Sequence, residues 1–372
     1  MRRIWTSVLI LIVVVWAAPF WADEIPLGLP PVPIPADNPQ TPAKIALGKL
    51  LFEDKRFSAD GTVSCGNCHD PAEAFADGLP TAEGIKKLKG TRNAPTVINA
   101  AYYETQFWDG RRPSLEEQAK DPFLNPVEQG LASHDPILET IRKDPSYPTA
   151  FRSVFGIEAK DITIDHVVKA IASFERTVIS GNSPFDRYLY GGDKTAMSES
   201  AIRGLDIYRT KGRCQDCHAI GQTNAVFTDN KFHNVGVGFK RIQPGVIKIA
   251  NAFRKAKQEG KDIDKSILGD QDVSELGRFV VTLQPSDIGR FKTPTLRNVA
   301  VTAPYMHDGS LKTLEEVVDL YNKGGESNPF LDSGIRPLNL TDQEKADLVA
   351  FMKSLTSPQF ANVPETPSTK KE

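Results

Sequence analysis

The sequence contains the stretch Cys65-Gly66-Asn67-Cys68-His69, and a second stretch of the same form follows as Cys214-Gln215-Asp216-Cys217-His218. Two thiols three positions apart can each bond one vinyl group of a single haem, and the adjoining histidine then becomes an axial ligand of its iron. A thioredoxin-like redox pair or half of a zinc site is the competing interpretation. Because a histidine follows both pairs, the sequence predicts two covalently attached c-type haems.

The two C-x-x-C pairs use all four cysteines of the 372-residue chain, so none is left for a disulfide.

The N-terminus indicates export. Met1, Arg2 and Arg3 precede an apolar run over residues 4–20, which is typical of a secretory signal peptide. We therefore expect residues 1–22 to be a signal peptide and the mature protein to be periplasmic, with an uncleaved membrane anchor as the alternative.

Composition and periodicity predict a mainly α protein. The chain is 40% hydrophobic and 25% charged, and its net charge of −2 provides no basic footprint for nucleic acid. Residues 165–178 place apolar side chains on one helix face, and residues 341–355 begin with a capping box. The predicted fold is two cytochrome c-type haem domains in tandem, with an interface between them.

An internal repeat organises the chain. Pro95-Thr96-Val97, Trp108-Asp109-Gly110 and Leu115-Glu116-Glu117 recur 199 residues later as Pro294-Thr295-Leu296, His307-Asp308-Gly309 and Leu314-Glu315-Glu316. The two haem motifs are only 149 residues apart, so the second copy contains an insertion. We predict a Pro-rich surface leader over 23–40, an N-terminal domain over 41–192, a C-terminal domain over 193–358 with an insertion around 225–285, and a flexible tail over 359–372. The charged residues 254–265 of the insertion are expected to form a solvated face.

The repeat also compares the outer face of each haem. Thr313 and Glu316 form a capping box, and the helix that follows carries Tyr321 at the end of an apolar stripe. The residue 199 positions earlier is Pro122, which has no side-chain donor to iron. An open iron favours activation of a small oxidant and a closed one favours electron transfer, so the first haem is predicted to be open and the second closed.

Two polar residues near Pro122 suit chemistry on peroxide. Glu128 could carry a proton from one peroxide oxygen to the other, and the amide of Gln118 could orient the oxidant. The alternative is that both are ordinary polar residues on a helix surface.

From about residue 40 to residue 357 the chain resembles the bacterial di-haem cytochrome c peroxidases and their relative MauG. The residues that carry the resemblance are the two haem motifs, Asn93-Ala94-Pro95-Thr96, Phe107-Trp108-Asp109-Gly110-Arg111, Asn125-Pro126-Val127-Glu128, Thr295-Leu296-Arg297-Asn298 and Ala303-Pro304-Tyr305-Met306-His307-Asp308-Gly309. Together these motifs are specific to that family.

The resemblance implies a role for each of these positions. It implies a peroxide-reactive first haem with His69 on the proximal side, Gln118 and Glu128 on the distal side and Pro122 beside them. It further implies Trp108 as an electron relay and a Ca²⁺ ion bound by Asn93 and by the carbonyls of Thr302 and Pro304. Without the resemblance, Trp108 is a buried core indole and Asn93 a turn residue.

The resemblance also bears on the second haem and on activation. Family peroxidases carry methionine at the position of Tyr321, whereas MauG-like members carry tyrosine, so Tyr321 is the expected second ligand; Met306, His307 and His233 are the alternatives. Peroxidases that need reductive activation usually carry a histidine after the first haem, but residues 70–92 contain none. MauG carries a tryptophan where this chain has Gly212.

These observations lead to one leading hypothesis and two alternatives. The protein is expected to reduce hydrogen peroxide at the first haem with electrons from a small redox protein, a cytochrome c or a cupredoxin, entering through the second. The alternatives are oxidative modification of a partner protein and a plain di-haem electron carrier. His134 and His166 are expected to be surface or helix-face residues. The sequence is compatible with a homodimer.

Overall fold

The structure is a computed structural model that describes residues 25–365. The predicted signal peptide and residues 366–372 of the predicted tail lie outside this range. The mainly α class is confirmed, because the sheet in the described range is a single antiparallel pair of two-residue strands, β1 (Phe232–His233) and β2 (Phe291–Lys292). Across residues 25–365, no helix is long and apolar enough to cross a membrane.

The α-helices fall into two successive groups. The first seven are α1 (Pro42–Glu53), α2 (Cys65–Cys68), α3 (Leu115–Ala119), α4 (Asp121–Leu124), α5 (Asp135–Lys143), α6 (Tyr147–Phe155) and α7 (Ile164–Glu175). The next nine are α8 (Pro184–Leu189), α9 (Glu199–Arg209), α10 (Phe239–Ile242), α11 (Val246–Gln258), α12 (Ile263–Gly269), α13 (Gln271–Ser274), α14 (Phe279–Thr282), α15 (Leu314–Asn322) and α16 (Asp342–Lys353).

Each half is built around a pair of crossing helices. Helix α1 packs on α7 in the first half, and α9 packs on α16 in the second. A glycine lies at each crossing: a Cβ atom on Gly48 would be 1.9 Å from the carbonyl oxygen of Ala170, and one on Gly204 would be 1.9 Å from that of Asp347. The close approach of each helix pair therefore depends on the missing side chain.

The sequence repeat is also a structural repeat. Asn99 and Asn298 are both in the left-handed region, with φ of 63° and 59°, and each precedes a short 3₁₀ turn. Backbone bridges join Gln106 to Arg112 in the first copy and the equivalent residues, Tyr305 and Leu311, in the second. The two halves therefore present equivalent loops around their haem motifs.

The Pro-rich leader is extended, but the expectation that it lies on the surface is wrong in part. Leu29 is buried, and Asn38 is completely enclosed. The carbonyl of Gly28 accepts a hydrogen bond from Arg297, a buried residue that also pairs with Asp186 at 2.8 Å. The leader is thus fixed to the second half by its hydrogen bond from Arg297, a member of a buried ion pair, and to the first half by the hydrogen bonds of Asn38.

The beginning of the predicted tail is also ordered by packing. Phe360 is buried and lies edge-on to Phe75, with 6.5 Å between the ring centres. The structure therefore does not agree with a flexible tail that begins at residue 359.

The division between the domains at 192–193 stays a prediction. Phe185 of α8, which precedes that division, packs in the core of the second half.

The insertion forms a helical unit of its own between β1 and β2. Helices α10 to α14 enclose a core that includes Phe239, Phe253 and Phe279. The unit also contacts the first half: Asp264 pairs with Arg112 at 2.7 Å. The charged residues 254–265 are therefore not simply a solvated face, because one of their carboxylates joins the two halves.

Candidate haem sites

The second half contains a cavity of about 410 Å³ behind its C-x-x-C-H motif. Cys214, Cys217 and His218 lie on its wall among mostly apolar groups. The Nδ1 atom of His218 is 2.9 Å from the carbonyl oxygen of Phe227, so the Nε2 atom is left for a metal. Two thiols, one imidazole and apolar walls match the donor set and the shape that a covalently bound haem requires.

The first half repeats this arrangement. Cys65 and Cys68 lie on α2, and His69 follows directly. The Nδ1 atom of His69 is 3.2 Å from the carbonyl oxygen of Phe75, which again leaves Nε2 free. Burial lowers the pKa of both His69 and His218, and a neutral imidazole is the form that binds a metal.

The cysteines do not have the character of a redox pair. Burial raises the pKa of Cys65 and of Cys214 to about 12. A thioredoxin-like pair needs a nucleophilic thiol whose pKa is lowered by its surroundings. The structure therefore opposes the redox-pair interpretation and agrees with thiols that serve as attachment points.

Tyr321 stands apart from the other tyrosines on the wall of the cavity. The hydroxyl of Tyr103 accepts a hydrogen bond from the N–H of Thr295. The hydroxyls of Tyr208 and Tyr305 each donate a hydrogen bond to a backbone carbonyl. Within residues 25–365, the hydroxyl of Tyr321 has no hydrogen-bond partner. Burial raises the pKa of this phenol well above its usual value, and only a strong electrophile such as a metal ion would offset the cost of ionising it.

The alternative ligands of the second iron lie near the same cavity. His233 is held through both ring nitrogens, with Nδ1 2.8 Å from Asp332 and Nε2 3.0 Å from Asp229. The Nε2 atom of His307 is 2.8 Å from a carboxylate oxygen of Glu275. His233 thus has a partner at each ring nitrogen, whereas His307, like His218, is held through one. Met306 and His307, which also line the cavity, therefore stay alternatives to Tyr321.

The first half differs where the second has Tyr321. Pro122 lies in α4, and Gln118 lies in α3. The Nδ2 atom of Asn125 donates a hydrogen bond to the carboxylate of Glu128. Burial raises the pKa of Glu128 to about 7, while the positive charge of Arg111 opposes that rise.

Glu128 lies close to the first haem motif. Its charge contributes to the raised pKa of Cys65, after burial and the charge of Glu175. The loop that follows the motif packs against Glu128, because the N–H of Ile85 donates to the carbonyl of Glu128 at 2.8 Å. A Cβ atom on Gly84 would be 2.1 Å from the carbonyl oxygen of Val127, so the loop approaches this closely only as glycine.

The nitrogen donors around the first site have other environments. Lys86, Lys87 and Lys89 are exposed on the loop. The Nε2 atom of His134 is 3.0 Å from the carbonyl oxygen of Lys120, and His166 caps α7 through Thr163. None of these five residues is oriented by the structure as a ligand of the first iron.

Arg111 and Asn125 are site residues to which the sequence assigned no role. The guanidinium of Arg111 stacks on the ring of Phe107, 3.4 Å from its centre, and lies 3.2 Å from Asp109 and 3.3 Å from Asp264. Both residues belong to motifs that mark the family, which was the available signal. Asn125 lies three residues before Glu128 in the same turn, whereas the charge of Arg111 acts on Glu128 from an earlier segment of the chain.

The wall of the second cavity brings together the predicted relay and the predicted calcium ligands. The Nε1 atom of Trp108 donates to the carbonyl of Asn93 at 2.9 Å, and Asn93 also lines the cavity with Thr302 and Pro304. The Nδ2 atom of Asn93 donates to Leu79 at 2.9 Å, which leaves its Oδ1 atom for a cation.

Comparison with known proteins places the chain. The family model described as di-haem cytochrome c peroxidase matches residues 42–195. Cytochrome-c peroxidase IdrP1 of Denitromonas iodatirespirans is 40% identical over 352 residues, covering 92% of this chain and 90% of that protein. Methylamine utilization protein MauG of Methylorubrum extorquens is 37% identical over 337 residues, covering 90% of this chain and 85% of that protein.

A solved structure agrees with both sequence matches. The crystal structure of a MauG-like protein associated with microbial copper homeostasis superposes with a TM-score of 0.75 at 33% identity, covering 92% of this chain and 99% of that one. The motifs, the paired haem sites and these similarities lead to one conclusion. The chain belongs to the di-haem cytochrome c peroxidase family, whose members are oxidoreductases that act on peroxide.

Proposed function

We propose that this protein reduces hydrogen peroxide in its first half, with electrons that enter through its second half. The observation that carries the proposal is Glu128, a carboxyl group with a pKa of about 7 beside the first haem motif. A group with that pKa is ionised in part of the molecules at neutral pH and can accept and return a proton.

The residues around Glu128 support a proton-transfer role. The Nδ2 atom of Asn125 orients the carboxylate, and the positive charge of Arg111 stabilises its ionised form. The carboxylate takes the proton from one peroxide oxygen and gives it to the other, which departs as water. The amide of Gln118 orients the oxidant. In sum, hydrogen peroxide, two electrons and two protons give two waters.

When bound, haem supplies the iron that accepts peroxide and the electrons that reduce it. His69 would hold the iron of the first haem, and Pro122 has no side-chain donor that could add a second ligand. In the second half His218 and Tyr321 would both hold the iron, which suits electron transfer. Trp108, on the wall of the second cavity, is the proposed relay between the two haems.

The proposal includes a location, a partner and a second cofactor. The signal-like N-terminus supports the periplasm, where a small redox protein, a cytochrome c or a cupredoxin, would be the electron donor. Asn93, Thr302 and Pro304 are proposed to bind Ca²⁺ through oxygen atoms. Their shared position on the cavity wall supports this assignment.

The experiment is the reaction of the fully oxidised protein with peroxide. No histidine occurs between His69 and His134, and the loop lysines are exposed, so nothing on the loop should block the first iron. We expect a high-spin first iron and an immediate spectral change on adding one equivalent of peroxide. A change that appears only after one-electron reduction would contradict the open site. Low-spin iron at both sites with no reaction would indicate an electron carrier instead.

A further inference from the structure

A buried lysine lies between the second haem cavity and the proposed relay. Lys292 is 7% exposed and lines the cavity. Its Nζ atom donates to the carbonyl of Thr105 at 2.7 Å and lies 3.7 Å above the ring centre of Tyr103. Its backbone N–H donates to the carbonyl of Trp108 at 2.8 Å. The side chain of Lys292 therefore contacts Tyr103, and its backbone contacts Trp108.

The charge of this lysine has no carboxylate partner in residues 25–365. Asp109 is the acidic group that acts on it, but that carboxylate is already paired with Arg92 at 2.6 Å and with Arg111 at 3.2 Å. A buried ammonium without an anion is costly, and burial lowers the pKa of Lys292 to about 7. An ammonium has three donors, and the carbonyl and the ring use two of them.

The other cations on the cavity wall are in different situations. Arg213 is paired with Asp216 at 2.7 Å, and His233 lies between two carboxylates. Arg336 is exposed to solvent. Among the described residues that line the cavity, Lys292 is thus the buried cation that lacks an anion.

A haem c retains two propionate groups after its vinyl groups have been attached to cysteine. These carboxylates are the anions that haem brings into an otherwise apolar cavity. We propose that Lys292 binds a propionate of the second haem through its remaining donor, and so holds that haem in register with Tyr103 and Trp108. Lys292 is then a positioning residue, and its positive charge stabilises the reduced form of the second haem.

The test is the reduction potential of each haem in Lys292→Met, measured by spectroelectrochemistry without peroxide. The second haem should shift to lower potential, with about a tenfold lower ratio of ferrous to ferric haem at a fixed applied potential, equivalent to about 59 mV. The first haem should change little. Lys292→Arg, which keeps the charge, should have a second-haem potential close to that of the wild type. A loss of packing alone would lower the potential in both variants.

Lys257 offers a matched control. Its Nζ atom also donates to backbone carbonyls, of Val280 and Val281, each at 3.0 Å, and it does not line the cavity. Lys257→Met should leave both potentials unchanged. An unchanged second potential in Lys292→Met, or an equal shift in Lys257→Met, would overturn the proposal.

A second measurement covers the case in which Lys292→Met does not take up its second haem. The propionate bending band of the wild-type protein, recorded by resonance Raman spectroscopy in H₂O and D₂O, should shift if an N–H donor binds the propionate. The absence of a shift for both propionates of the second haem would refute the assignment. Because neither measurement uses peroxide, failure here and failure of the proposed peroxide reaction are separate results.

Discussion

The two halves of the molecule share a scaffold and differ in what faces the haem. Each half crosses two helices at a glycine and contains an equivalent bridged loop, from Gln106 to Arg112 in the first and from Tyr305 to Leu311 in the second. In the second half the helix after the repeat, α15, runs unbroken over nine residues and carries Tyr321. In the first half the same region is divided at Lys120 into α3 and α4, two residues before Pro122, which has no backbone N–H to donate.

The break replaces a phenol, the proposed ligand, with a proline and a carboxyl group, the proposed base. Where the second half positions a phenol, the first positions a proline and then a turn that holds Glu128 against Asn125. The residue 199 positions after Glu128 is Ser327, so the second half has no carboxylate there. In the proposed function one duplicated scaffold supplies a closed site and an open site, and the residues that distinguish them, Tyr321 against Pro122 and Glu128, lie in one helix and the turn after it.

The largest effect should come from removing the base of the open site. Glu128→Gln should slow the reaction with peroxide by about 10²–10⁴-fold, the usual contribution of a positioned acid or base. The measurement is the rate of the first spectral change by stopped flow. Glu175→Gln is the matched control, since Glu175 is also a buried carboxyl near Cys65, with its pKa raised to about 8. That variant should react at close to the wild-type rate.

The pH profile of the same reaction identifies the role. The ionised carboxylate accepts the first proton, so the wild-type rate should fall about tenfold per pH unit below the pKa of Glu128 at about 7. Above that pH the rate should level off. Glu128→Gln should have lost this dependence, and full reactivity with normal haem content would remove Glu128 from the mechanism.

Tyr321→Phe should change the rate of the peroxide reaction less than Glu128→Gln does, but it should remove one ligand of the second iron completely. Loss of a hard anionic donor should open that iron to external ligands and raise its potential. Electron paramagnetic resonance should then detect a high-spin second iron, while the first reaction with peroxide continues. Tyr305→Phe is the control, because Tyr305 lines the same cavity but donates its hydroxyl hydrogen to Val299. A low-spin signal that persists in Tyr321→Phe would instead favour Met306, His307 or His233.

The sequence predicted the parts of this comparison that are local. The C-x-x-C-H motifs, the helix caps and the contrast between Pro122 and Tyr321 depend on spacing within one segment or on the repeat. Other features depend on residues far apart in the chain, and periodicity contains no sign of them. Arg297 bonds Gly28, 269 residues away, and Lys292 bonds Thr105, 187 residues away. For the same reason the leader was expected on the surface and the insertion was not expected to contact Arg112.

The smallest effect on the chemistry, and the direct test of the shared scaffold, should come from the glycines at the two helix crossings. A methyl group on Gly48 or Gly204 would lie 1.9 Å from a carbonyl oxygen, so each pair of helices must separate. Gly48→Ala and Gly204→Ala should each destabilise the protein by about 1–3 kcal/mol, as overpacking usually does.

Thermal unfolding followed by far-UV circular dichroism should report similar losses for the two variants, with haem content as the check on each half. Gly269→Ala is the control: Gly269 ends α12 with open space around it, so alanine there should be neutral or slightly stabilising. If only one crossing is sensitive, the two halves do not depend on the same helix contact. The difference between their haems would then begin in the scaffold and not at Pro122 and Tyr321.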